Sequence, residues 1–274
     1  MSRSMTSNTI DLFDLSNRTA VVTGGAGILG KQFCRALSTY GANVALVDLD
    51  KEIVTKEASS IGKNVVGFAC DVSNPNEVKD LVRNVVKEFG TIQILYNNAA
   101  TKSDNLEDFF APFEDYSLTE WRRIMSVNLD GMFLVAQAIG KQMIKQRLGG
   151  TIIQTSSIYG TVAPDHRIYE GSKYMGYKIS TPAVYSTSKA GVVGLTKYLA
   201  SYWADHNIRV NTITPGGVFS GQNEEFKFKY SQRVPLGRMA ESGDMVGAAL
   251  YLASDASSYV TGQNLIIDGG LTCW

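Results

Sequence analysis

The 274-residue sequence predicts an α/β protein built on a doubly wound parallel sheet of about seven strands, with helices on both faces. Three observations predict it. Short β-branched runs alternate with longer stretches of helical period. The runs are not strictly alternating, which suits strands buried on both faces. A glycine-rich turn follows the first of them and opens a helix.

The strands are expected at residues 19–23, 43–48, 65–70, 92–97, 151–155, 208–213 and 264–268, with crossover helices between them. Two helix starts are signalled by capping chemistry. Asn74-Pro75-Asn76-Glu77 offers an N-cap, a proline in the first turn and an acid at N3. Ser117-Leu118-Thr119-Glu120 repeats the pattern. Residues 124–135 read as an apolar helix interrupted by Asn128. No repeat or linker-like segment divides the chain, so residues 11–274 read as one domain behind a loose tail, 1–10. Two long connections, 163–183 and 220–238, exceed a minimal α/β layout and read as substrate loops.

Composition narrows the function. Apolar residues are 44% and charged residues 19%, enough for a sizeable core. Lys plus Arg number 26 and Asp plus Glu 26, a balance that argues against a nucleic-acid or anionic-membrane partner. No apolar run approaches the roughly 18–20 residues of a membrane span. The first eight residues are polar and lack a signal-peptide core. Cys34, Cys70 and Cys273 match neither a zinc spacing nor a disulfide framework, so no metal is expected and the cytoplasm is the expected compartment.

The turn Thr23-Gly24-Gly25-Ala26-Gly27-Ile28-Leu29-Gly30 would let backbone amides approach a pyrophosphate at a helix N-terminus, as in Rossmann-type sheets. Asp48 ends the second strand 18 residues after Gly30, close to the interval at which an acid meets the adenine ribose. A carboxylate there repels a 2′-phosphate, so NAD is expected over NADP. Asp48 capping the next helix is the plainer alternative, and Asp50 competes for the ribose role. Tyr185 and Lys189 are four apart and share a helical face. A phenol near an ammonium becomes a usable acid/base as the cation lowers its pKa.

Taken jointly, the motifs resemble the short-chain dehydrogenase/reductase family over residues 12–270. They are Thr23 to Gly30, Asp48, Asp71-Val72, Asn97-Asn98-Ala99-Ala100, Asn128, Ser156-Ser157, Tyr185 with Lys189-Ala190-Gly191, Pro215-Gly216 and Asp268-Gly269-Gly270. The resemblance implies that Tyr185 exchanges a proton with the substrate oxygen and that Ser157 orients that oxygen. It implies that Lys189 lowers the tyrosine pKa and holds the nicotinamide ribose, and that Asn128 anchors the relay. It also implies a cofactor path past Gly24, Gly27, Ile28, Leu29, Gly30, Asp48, Leu49, Asp71, Val72, Asn98, Ala99, Ala100, Pro215, Gly216, Val218 and Ser220. Members are usually homotetramers or homodimers, and the apolar end Leu271-Thr272-Cys273-Trp274 suits a subunit contact.

Departures from the family pattern point to the substrate side. Ile28 stands where short members usually carry glycine, yet only 85 residues follow Lys189, which keeps the short-type assignment. The 28-residue gap from Ser157 to Tyr185 is long and contains a second Tyr/Lys pair, Tyr169 and Lys173. Gly171, Gly176 and Pro182 oppose a helix there, so Tyr185 is taken as the acid/base. Tyr159, His166, Arg167 and Tyr169 are the substrate candidates, suited to a phosphorylated or hydroxyl-rich molecule. An oligomer contact or solvated loop is the competing reading of that segment. The insertion looks like that of flagellin-glycan and nonulosonate sugar-pathway oxidoreductases. The expected function is hydride transfer between NAD and a secondary alcohol or ketone of a small polar substrate such as a sugar or nucleotide sugar. The alternatives are a non-catalytic NAD-binding regulator and a simple polyol or hydroxy-acid dehydrogenase.

Overall fold

The computed structural model describes residues 12–103 and 105–274. The tail expected at 1–10 lies outside the described residues. The chain runs β1 (Thr19–Thr23), α1 (Ile28–Thr39), β2 (Asn43–Asp48), α2 (Lys51–Ile61), β3 (Val65–Ala69), α3 (Pro75–Phe89) and β4 (Ile94–Asn97). It continues with α4 (Leu106–Phe109), α5 (Leu118–Met125), α6 (Met132–Gln146) and β5 (Gly150–Thr155). Then come β6 (Lys173–Tyr174), β7 (Tyr177–Lys178), α7 (Ala183–Tyr202), β8 (Ile208–Pro215), α8 (Glu224–Ser231), α9 (Val246–Ala253) and β9 (Asn264–Ile267). Seven strands form one parallel sheet in the order β3-β2-β1-β4-β5-β8-β9. This is the doubly wound sheet the sequence predicts, and the strand order reverses between β1 and β4.

The strands are apolar because both faces are covered. In β1, Ala20 and Val22 enter the layer shared with α1, α2 and α9, while Val21 enters the layer shared with α3, α6 and α7. Phe33, Leu37 and Leu252 fill the first layer; Leu81, Ile139 and Trp203 fill the second. Each such side chain contributes about 1.5–3 kcal/mol by leaving water. The second layer is close enough that a Cβ on Gly140 would meet the Trp203 ring at 2.4 Å. Both expected helix starts form. Asn74 accepts from the amides of Asn76 and Glu77, with Pro75 in the first turn. Ser117 accepts from Glu120.

Three segments differ from expectation. The helix expected over 124–135 widens into one π turn, Ser126–Gly131, between α5 and α6. The 163–183 connection folds into a short helical turn at His166–Tyr169 and a small antiparallel hairpin, β6–β7, turning on Met175 and Gly176 at φ 50° and 89°. The 220–238 connection contains α8, capped by Asn223, with Glu224 and Glu225 in its first turn. The two connections pack together. Ile168 of the first and Phe226, Tyr230 and Val234 of the second form a small separate core with Ile158 and Leu271.

Candidate active site

Register sets the cofactor side of the site. Thr23 at the end of β1 pairs with Val47, so Asp48 extends one residue past the ladder toward the glycine turn. There its Oδ2 accepts from the Ala26 amide at 3.0 Å and its Oδ1 from Leu49 at 2.9 Å. The capping role belongs to Asp50, whose Oδ1 accepts from Glu52 and Ile53 at the start of α2. Gly24 takes φ 63°, and a Cβ there would press on Ala99 Cα at 3.0 Å. A Cβ on Gly30 would stand 2.0 Å from the Gly24 carbonyl oxygen, so α1 approaches the turn as only glycine allows. α1 begins after Gly27 with no side-chain cap and no acid in its first turn. The amides of its first turn meet no side chain among the described residues, which leaves them and the helix dipole open to an anion. Exposed Ile28 and Leu49 and buried Val72 supply apolar surface near it. Asp71 accepts from the Ser73 amide and hydroxyl.

The far wall comes from the loop after β4. Thr23 Oγ1 accepts from the amides of Asn98 and Ala99 at 2.9 and 3.1 Å, and Asn98 Nδ2 donates to the Thr23 carbonyl. These bonds lock the two strand-end loops together at the switch point. Asn97, one residue earlier, is buried and donates to Met132 O and Gln154 Oε1. The Asn128 carboxamide is buried in the π turn. Its Oδ1 accepts from the Thr101 amide at 2.8 Å, while Nδ2 has no partner among the described residues. An unpaired buried donor beside the crevice is costly unless it serves something that binds there. At the other end, Pro215 closes β8 and Gly216 donates to Ile267 O. Gly217 donates to the Tyr230 hydroxyl, Val218 bridges to Ala240, and Gln222 folds onto Ser220. Bare glycine surfaces, free helix amides, Asp48 and the Asn128 donor fit a dinucleotide cofactor across the strand ends.

Tyr185 and Lys189 sit on one face of α7 beside the end of β5. Lys189 is 3% exposed. Its Nζ donates to Thr155 O at 2.9 Å and lies 6.0 Å from the Tyr185 ring centroid. Burial pushes the Lys189 ammonium down to about 8. Half-buried Tyr185 is hydrogen-bonded to Ser157, and burial holds its phenol above the ordinary value while that bond opposes the rise. The Lys189 ammonium is directed at the Thr155 carbonyl, and at the phenol desolvation outweighs the Ser157 bond. Ser157 also accepts from the Tyr159 amide at 3.3 Å. Ser156 Oγ donates to Lys189 O, tying α7 to the end of β5.

The substrate candidates separate. Tyr159 and Tyr169 are half-buried and share a hydroxyl contact of 3.3 Å. Tyr169 stands in the His166–Tyr169 turn and Lys173 in the hairpin, so the second Tyr/Lys pair does not share a helical face. His166 is exposed and borders an open groove of about 910 Å³ with Tyr159, Phe110, Thr181 and Ser186. Arg167 points outward and is paired with Asp165 at 2.8 Å, so it is not brought to Tyr185. Sequence reasoning gave no separate role to Thr23, Thr101 or Thr155, which hold the site through one hydroxyl, one amide and one carbonyl. Only Thr23 carried a signal, as the last residue of a strand before the glycine turn. At the C-terminus, Leu271 is buried in its own chain, and exposed Trp274 donates to Arg233 O. Among the described residues no acidic, His or Cys cluster could hold a metal ion, and no helix is long and apolar enough to cross a membrane.

Comparison with known proteins agrees with this geometry. The sequence model of the Enoyl-(Acyl carrier protein) reductase family matches residues 24–272. A D-arabinitol 2-dehydrogenase (ribulose-forming) of Scheffersomyces stipitis is 36% identical, over 97% of this chain and 98% of its own. A D-threitol dehydrogenase of Mycolicibacterium smegmatis is 35% identical, over 95% of each. The crystal structure of a short chain dehydrogenase from Leptospira borgpetersenii with bound NAD+ superposes with a TM-score of 0.83 at 32% identity, covering 99% of this chain and 98% of that one. Fold, site and relatives agree: the chain belongs to the short-chain dehydrogenase/reductase family.

Proposed function

We propose that this protein is a cytoplasmic, homo-oligomeric NAD-dependent dehydrogenase that oxidises a secondary alcohol of a polyol or sugar and reduces the matching ketone. The observation that carries the reading is the meeting of Ser157, Tyr185 and Lys189 at the end of β5, beside a crevice built for a dinucleotide. Polyol relatives, at up to 36% identity over nearly the whole chain, support the substrate class. Asp48 supports NAD over NADP, because its carboxylate at the end of β2 accepts ribose hydroxyls and repels a phosphate.

Gly24, Gly27 and Gly30 with the first amides of α1 would hold the pyrophosphate. Leu49, Asp71 and Val72 would meet the adenine end, and Asn98 to Ala100 with Pro215 to Ser220 would meet the nicotinamide end. The bound cofactor supplies the hydride acceptor. The chain supplies the rest. Ser157 Oγ positions the substrate oxygen, and Tyr185 Oη takes the alcohol proton as the carbinol loses its hydride. Lys189 steadies the phenolate through its charge. The Asn128 donor orders the polar path behind them.

Absorbance at 340 nm tests the reading. Purified protein with NAD is offered D-arabinitol, D-threitol, other polyols, sugar phosphates and nucleotide sugars. NADH formation on a polyol or sugar, lost in Tyr185→Phe by at least about 100-fold with NADH binding retained, supports the proposal. Turnover of nucleotide sugars alone would move the substrate toward the sugar-pathway enzymes. NADH binding without turnover of any member would favour a non-catalytic role. Light scattering of the purified protein reports the oligomer.

A further inference from the structure

The insertion folds back over the catalytic serine and brings three hydroxyls into one line. Thr181 Oγ1 and Tyr169 Oη lie 2.6 Å apart, and Tyr169 Oη donates to Tyr159 Oη at 3.3 Å. Each of these groups owns one proton. The Tyr169 proton is spent on Tyr159, so the short contact with Thr181 must be filled by the threonine donating. The line is therefore directional: Thr181 to Tyr169 to Tyr159. It ends on a phenol whose own proton meets no acceptor among the described residues.

That last proton is well placed. Tyr159 is half-buried, borders the groove beside Thr181, and its amide holds the hydroxyl of Ser157. Burial pushes the Tyr159 phenol well above its ordinary value, so it stays a donor through the working pH range. Of the two acids of this segment, Asp165 is engaged by both Arg167 and Arg233, and Glu170 is exposed. The ring of Tyr169 is fixed from behind by Phe226 of α8, at 5.4 Å between centroids. A neutral, fixed donor two residues from the serine suits an uncharged oxygen on the carbon chain beside the reacting one.

We propose that Tyr159 is a specificity-determining residue: its phenol donates to a non-reacting hydroxyl of the polyol, and Tyr169 and Thr181 are positioning residues that aim it. The inference rests on the polyol reading above and deepens it. A site that spends a buried donor on a substrate hydroxyl rejects the analogue lacking that hydroxyl, because the donor is then left unpaired.

The test pairs variants with substrates. On the polyol turned over best, Tyr159→Phe should lose about 10- to 100-fold in kcat/KM, chiefly through KM, with the KM for NAD unchanged. Thr181→Val should lose about 3- to 10-fold, and Thr181→Ser, which keeps the hydroxyl, should stay near wild type. Singly deoxygenated analogues of the same polyol then identify the contact. For one analogue, wild type and Tyr159→Phe should be equal within about 2-fold, since the interaction is already gone. Equal losses for Tyr159→Phe on every analogue would overturn the proposal and leave a general structural role. An unchanged Tyr159→Phe would overturn it while leaving the polyol reading intact. Wild-type protein inert toward all polyols would overturn both.

Discussion

Replacing Lys189 with methionine separates the cost of burying its charge from its use. The ammonium is 3% exposed and bonded to a single carbonyl, and its pKa falls from 10.5 to about 8. A lysine whose folded pKa is depressed binds fewer protons folded than unfolded between those values, so stability rises with pH across that window. Below pH 8 the folded state bears the full penalty; above about 10.5 it bears none. For a shift from 10.5 to about 8, the penalty is about 3 kcal/mol at pH 7 and about 1 kcal/mol at pH 10. Lys189→Met removes it at every pH, along with packing and hydrogen-bond contributions that do not depend on pH. Its stability relative to wild type should therefore fall by about 2–3 kcal/mol from pH 7 to pH 10. Urea unfolding at fixed protein concentration, at pH 7, 8, 9 and 10, measures the difference. A flat difference would show that Nζ is not desolvated as the geometry states. A difference that grows with pH would show that the folded protein holds this proton more tightly than the unfolded chain. Turnover of the variant should be lost at every pH.

Two further substitutions probe the cofactor cradle. Gly30→Ala places a Cβ against the Gly24 carbonyl oxygen, a backbone atom, so α1 must withdraw from the turn. NADH affinity by fluorescence titration should fall by at least about 10-fold, with thermal unfolding several degrees lower. Asp48→Ser removes the carboxylate but leaves a hydroxyl near Ala26 and Leu49. The ratio of kcat/KM for NADP to that for NAD should rise by about 10- to 100-fold in steady-state assays, and an unchanged ratio would remove Asp48 from the ribose role.

The sheet was legible because its strands obey one constraint. A parallel strand covered on both faces must be apolar throughout, and residues 19–23 and 43–48 stand where the runs place them. β4 starts two residues late, at Ile94, because Gln146 takes both the amide and the carbonyl of Ile92. No local pattern reports a side chain 54 residues away. The π turn at Asn128 is hidden for the same reason, since Thr101 of the loop after β4 bonds Asn128 and Asn97 at the end of β4 bonds Met132 just beyond the turn. α8 is a different omission. Asn223 followed by two acids is a readable helix start, obscured by the length of the connection around it. The hairpin had a weak signal, because Met175 takes a left-handed conformation that Asn or Gly more often supplies.

The division between legible and hidden parts follows the division of labour in the site. Groups that serve any substrate stand at strand ends and on α7, where periodicity and capping locate them. Groups that would choose a substrate lie in the two connections, whose positions depend on each other. Ser172 Oγ donates to Asn223 Oδ1, Lys229 Nζ donates to Glu170 O, and Tyr169 rests on Phe226. Tyr230, on the same helix, receives the Gly217 amide from the loop after β8. Insertion, α8 and that loop are thus joined by side chains rather than by sequence neighbours. A change in one connection must be accommodated by the other. Removing the Phe226 ring would therefore shift Tyr169 and, through Tyr230, the loop after β8. Lengthening one segment could re-form the pocket only where the other supplied a matching face.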